Sequence, residues 1–127
     1  MMIARFARHP MIERLAFWSG VACIVLIVVL SLKPSVSVGV SVSDKVLHFA
    51  AYFVVMGCFG IGLQRISLAR LFIAIAGFGV GIEIAQGLMA MGRTFSGYDM
   101  LANVAGAACA GLLVWGLVKR YPTEIRS

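Results

Sequence analysis

An all-α, four-helix transmembrane bundle is the fold class this sequence predicts, and three observations carry it. The 127 residues are 61% hydrophobic with a mean hydropathy of +1.00. Only 13% are charged, about half the roughly 25% of a soluble domain, and a soluble fold of this size has no interior large enough to hide so much apolar surface. The apolar residues also fall into four runs, each close to the ~20 residues needed to cross a ~30 Å hydrocarbon core. Short polar connections then make sequential helices antiparallel neighbours in one domain spanning residues 1–127.

The first segment, Met1 to Arg14, is basic and mildly amphipathic. An almost wholly apolar run, 15–32, follows. A cleaved signal peptide has a shorter core of ~7–15 apolar residues and a small-residue cleavage site. This run instead ends in Ser31-Leu32-Lys33-Pro34, so the expectation is a retained helix stopped by the proline. Residues 35–43 read SVSVGVSVS. That period-two alternation suits extended chain lying at the membrane surface.

The second run, 46–63, begins beside Asp44 and Lys45. A loop with Arg65 and Arg70 leads to the third run, 71–91. A polar turn carrying Arg93, Thr94 and Ser96 leads to the fourth, 100–118. Gly77 with Gly81, and Gly106 with Ala110, have the small-xxx-small spacing that lets membrane helices approach closely. Cys23, Cys58 and Cys109 each lie inside an apolar run without paired spacing, so neither a disulfide framework nor a metal cluster is expected from them.

The net charge of +6 raises nucleic acid as a partner, but the positions exclude it. Arg5, Arg8, Arg14, Arg65, Arg70, Lys119, Arg120 and Arg126 flank the apolar runs on one side, and Lys33, Lys45 and Arg93 on the other. That asymmetry orients a membrane protein and places both termini in the cytoplasm.

With this orientation the polar residues of the spans collect in the outer half. Asp44, His48 and Tyr52 are spaced one turn apart on one helix face. Glu83 and Gln86 share a face of the third helix, and Asp99 and Asn103 a face of the fourth. By rise per residue, Asp44, Arg93 and Asp99 form a rim. His48 and Asn103 lie below it, then Tyr52 and Gln86, with Glu83 deepest. Simpler roles compete: Asp44 and Asp99 are placed to cap helices, Lys33 and Lys45 to snorkel, and Tyr52 and His48 to pack inside. Glu83 is harder to dismiss, because an acid near the bilayer centre costs roughly 2.5–3.5 kcal/mol even on the insertion scale. Gln86, one turn away, is a hydrogen-bonding candidate for it, as are His48 and Asn103 across the bundle. Arg93 is about 15 Å of helix away.

These residues resemble a family pattern. Asp44-Lys45-x-x-His48-x-x-x-Tyr52, Glu83-x-x-Gln86, Arg93 and Asp99-x-x-x-Asn103-x-x-Gly106 resemble the VanZ-like family of small bacterial membrane proteins, with no departure at these positions. The resemblance runs from the second helix through the fourth. It implies a four-helix domain in the bacterial cytoplasmic membrane and a link to resistance against teicoplanin-type glycopeptides. It implies no reaction.

Three functions are therefore expected to compete. The first is binding, without a cofactor, of a membrane lipid, a lipid-linked envelope precursor or a lipoglycopeptide. Its binding residues would be Asp44, Lys45, His48, Tyr52, Glu83, Gln86, Arg93, Asp99 and Asn103, with cations at the rim attracting phosphate or carboxylate. The second is an intramembrane acid/base enzyme, with His48 and Glu83 as candidate catalytic residues. It lacks a nucleophile motif, and the dispersed Asp44, His48, Glu83 and Asp99 argue against a metal. The third is a proton-coupled carrier through Glu83, which the apolar inner half disfavours. The first is the favoured expectation.

Overall fold

A computed structural model describes residues 2–33, 44–89 and 97–119. The alternating segment 35–43 and Arg93 lie outside the described residues. All described elements are helical: α1 (Met2–Ala7), α2 (Pro10–Ser31), α3 (Asp44–Gly62), α4 (Leu68–Leu88) and α5 (Gly97–Val114), which runs into a π-helical turn, Trp115–Lys119. Four helices, α2 to α5 with the first part of that turn, are long and apolar enough to span a membrane.

All four spanning helices begin earlier than their apolar runs do, and in two of them the reason is identifiable. α2 starts at Pro10 rather than near residue 15. His9 is its N-cap, with Nδ1 accepting from the Met11 N–H at 3.3 Å, and proline suits the first position because its missing N–H would have had no helical partner. α4 starts at Leu68 rather than 71 because the Ser67 hydroxyl caps it, accepting from Arg70 N–H at 3.3 Å. The basic leader also forms a short helix of its own, α1, which the charge pattern alone does not reveal.

The bundle is organised around α3, which packs most extensively on α5 and next on α2. Tyr52, Val55 and Met56 of α3 are buried against Leu71 and Ile75 of α4 and Ala107 and Ala110 of α5. The α3–α5 approach depends on Gly106. A Cβ there would overlap the main-chain carbonyl oxygen of Phe49, so only glycine lets the two backbones lie this close.

Burial is inverted relative to a soluble protein. Glu83, Gln86 and Asn103 are 1%, 6% and 3% exposed, whereas Leu88 and Leu112 are 80% and 70% exposed. Hydrocarbon accepts the leucines at no cost, but every polar group must find its partner inside.

The opposite end of α3 is closed by main-chain carbonyls. Arg8 Nη2 donates to Val118 O at 2.6 Å, and Gln64 Nε2 donates to Ala7 O at 2.8 Å and Ile61 O at 3.0 Å. Ala7, Val114 and Val118 form a small apolar cluster there. Val118 sits in the last described turn of its helix, where carbonyls run out of helical N–H partners, and Arg8 takes its oxygen.

Candidate functional site

The polar residues converge where the first turns of α3 and α5 meet the last turns of α2 and α4. Each helix supplies its part through spacing. α3 presents Asp44, His48 and Tyr52 at four-residue intervals, α4 presents Glu83 and Gln86 three apart, and α5 presents Asp99 and Asn103 four apart.

His48 is the hub. Its Nδ1 lies 2.9 Å from Asn103 Oδ1. An amide oxygen only accepts, so in this contact Nδ1 carries the proton and donates. The same nitrogen is 4.0 Å from Glu83 Oε1, while Nε2, on the far edge of the ring, is 3.9 Å from Asp99 Oδ2. The imidazole therefore stands between a buried carboxylate and a partly buried one. Asp99 also meets Lys45, Oδ1 to Nζ at 3.6 Å. Lys45 is half exposed, so that ion pair is screened and contributes little by itself.

The sequence ranked His48 and Asn103 at the same depth, and they touch. It placed Glu83 deeper, yet the chain brings Glu83 within 4.0 Å of His48. Gln86 was one candidate partner for Glu83, beside His48 and Asn103. Its Nε2 donates to the main-chain oxygen of Ser31 at 2.9 Å, tying the last turn of α2 to α4. Any residue type offers a carbonyl, so no side-chain pattern could have announced that contact. Asp44 is exposed at the start of α3, where it also serves the helix dipole.

Beside this cluster a cleft of about 270 Å³ runs between α2 and α3, floored by Ile82 of α4. Leu26, Ile27 and Leu30 make one wall, and Asp44, His48 and Tyr52 stand on the other, with Ser31 at the end of α2. Sequence reasoning missed the α2 wall because α2 is apolar all round and has no stripe to single out one face. Ser31 had a weak signal, as the hydroxyl closing that run. Tyr52 is 2% exposed, and its hydroxyl has no hydrogen-bond partner among the described residues.

Dispersed spacing argued against a metal, but folding brings Asp44, His48 and Asp99 together. Each offers a ligand atom, and these atoms lie within 4.8 Å of one another. Glu83 is not part of that group; it faces the other ring nitrogen. No family model, curated protein or solved structure matches the chain.

Proposed function

We propose that this is a VanZ-like protein of the bacterial cell envelope whose polar pocket binds the headgroup of a membrane lipid or lipid-linked cell-wall precursor. The family part of this reading rests on the motif resemblance alone. The arrangement of basic loops supports consecutive helices running antiparallel in the cytoplasmic membrane, with both termini inside and the pocket facing outward. A role in resistance to teicoplanin-type glycopeptides follows only from the resemblance.

The single observation that carries the binding reading is the two-sided cleft. One wall is leucine and isoleucine, and the other sets Asp44, His48 and Tyr52 among Leu47 and Ala51. An amphiphile matches both walls at once, its chain along α2 and its headgroup against α3. A water-soluble ligand would leave the apolar wall unused, and a pure hydrocarbon would leave the Tyr52 hydroxyl unsatisfied. Sequence reasoning assigned Lys33, Lys45 and Arg93 to the headgroup. Lys45 lies at the rim against Asp99, ready to exchange that carboxylate for a ligand anion.

The full chain in nanodiscs, titrated with phospholipid, polyprenyl phosphate, lipid-linked wall precursor and lipoglycopeptide, tests this. Saturable binding of one of them, weakened at least tenfold in His48→Ala, is expected. Absence of saturable binding for all four, or binding indifferent to His48→Ala, sinks the proposal.

One observation favours a second reading, an intramembrane acid/base enzyme. His48 stands between Glu83 and Asp99 with its two nitrogens facing different carboxylates, which would orient the ring for proton transfer. Turnover of a purified envelope lipid, abolished by His48→Ala in a folded protein, would establish it. Binding without turnover across the same lipids would remove it.

A further inference from the structure

We infer that Asp44, His48 and Asp99 form a divalent-cation site, of the zinc–manganese class, at the polar end of the cleft. The cation deepens the headgroup reading, and only the choice of a phosphorylated ligand rests on that reading.

Four observations converge. First, the three side chains offer ligand atoms within 4.8 Å of one another. Ligands about 2.0–2.2 Å from a common ion are separated by less than that, so small side-chain rotations suffice. Second, His48 is already arranged as a metal-ligating histidine. Nδ1–H donates to Asn103 Oδ1 at 2.9 Å, which leaves the Nε2 lone pair facing Asp99 Oδ2 at 3.9 Å. Metal-bound imidazoles nearly always donate their other N–H to an oxygen in this way, and that bond fixes tautomer and ring plane. The Glu83 carboxyl group, buried, stands behind the ring at 4.0 Å from the same Nδ1.

Third, the charge balance suits a cation. Asp44 and Asp99 stand beside His48, and the described positive side chain among them is Lys45, which is half exposed. A headgroup phosphate brought directly to this set would meet net negative charge. A divalent ion reverses the sign and bridges carboxylates to phosphate. Fourth, the Tyr52 hydroxyl, buried, without a partner among the described residues and lining the same cleft, is one turn from His48 and is a donor suited to a group held on the ion.

One imidazole and two carboxylates are a mixed nitrogen and oxygen set. It is too hard for copper(I) and has too much nitrogen for a site specialised for calcium. Three protein ligands also leave coordination positions for an incoming oxygen, as in zinc sites that bind substrate.

The experiment uses the purified full chain in nanodiscs, exchanged against trace Zn²⁺ or Mn²⁺ and counted by elemental analysis, with affinity from titration of the metal alone. About one ion per chain is expected, with affinity falling at least tenfold in Asp44→Asn and Asp99→Asn at unchanged helicity. Asn103→Leu, which removes the tautomer-fixing acceptor, is expected to cost about tenfold. Lys45→Ala is expected to raise affinity severalfold, because it removes the competing cation, and it decides the matter if the aspartate variants misfold. No retained ion, affinity unaffected by both aspartate substitutions, or unchanged or weaker binding in Lys45→Ala overturns the site. Headgroup binding that persists in chelator with no ion retained overturns the cation while sparing the headgroup reading. A retained ion without any headgroup binding upholds the cation and rejects that reading.

Discussion

Gly106→Ala is the substitution whose consequence the geometry fixes most tightly. A Cβ at that position overlaps the Phe49 carbonyl oxygen and sits 3.1 Å from Phe53 N. Both atoms belong to the α3 backbone, so no rotamer change relieves the contact. Ordinary separation is ~3.5–4 Å, and reaching it requires α3 and α5 to part by on the order of 1 Å. Overpacking of this kind costs typically 1–3 kcal/mol, and an immovable main-chain obstacle puts it near ~3. Alanine returns about 1 kcal/mol of helix propensity. His48 and Asn103 lie one residue before Phe49 and three before Gly106, and their 2.9 Å bond breaks when the helices separate, at about 0.6 kcal/mol for an average interhelical bond in a membrane. The net expectation is a loss of about 2–3 kcal/mol, measured by steric-trap unfolding in bicelles. Gly77→Ala is the control: nothing lies within 4 Å of its Cβ, so stability should hold or rise by up to about 1 kcal/mol. Gly106→Ala within about 0.5 kcal/mol of wild type, below the cited overpacking range, would refute the claim that α3 and α5 meet through their backbones at this point.

Two further outcomes follow from hydrogen bonds to main-chain carbonyls. Gln86→Leu should cost about 0.6–2 kcal/mol and speed amide exchange around Ser31 and Leu32, where the tie to α2 ends; unchanged protection there would show the bond is unimportant. Arg8→Ala should cost about 1.5–3 kcal/mol, the range for a hydrogen bond to a charged group, and raise exchange along Trp115–Lys119 while leaving the middle of α5 protected. Uniform loss of protection across α5 would mean that Arg8 supports the whole helix rather than its last turn.

The spans were legible because hydrophobic length is a constraint on composition, and composition is what a sequence displays. Their beginnings were less so. His9 with Pro10, and Ser67, are cap signals set ahead of the apolar runs, and a reading guided by hydropathy starts too late by about a turn. Within the candidate site, four-residue spacing revealed which side chains share a face, and rise per residue revealed that His48 and Asn103 lie level. Hidden from such reasoning were contacts whose acceptor is the main chain, as for Gln86 with Ser31 and Arg8 with Val118. Hidden too was the apolar wall on α2, since Leu26, Ile27 and Leu30 look like every other residue of that run. Closeness of Asp44, His48 and Asp99 depends on how α3 and α5 are rotated against each other, which no single helix encodes.

The buried Glu83 bears on how the chain assembles. α4 is hydrophobic on nearly every side, so lipid alone would leave it free to turn about its own axis after insertion. A turn of some 100° would swing the carboxylate out into hydrocarbon, at roughly 2.5–3.5 kcal/mol on the insertion scale, which disfavours that orientation by about a hundredfold (1.4 kcal/mol per factor of ten). One acidic side chain thus acts as an alignment key for its helix. Asn103 does the same for α5 against His48, and the bundle is indexed by polar residues where a soluble protein would be indexed by apolar ones.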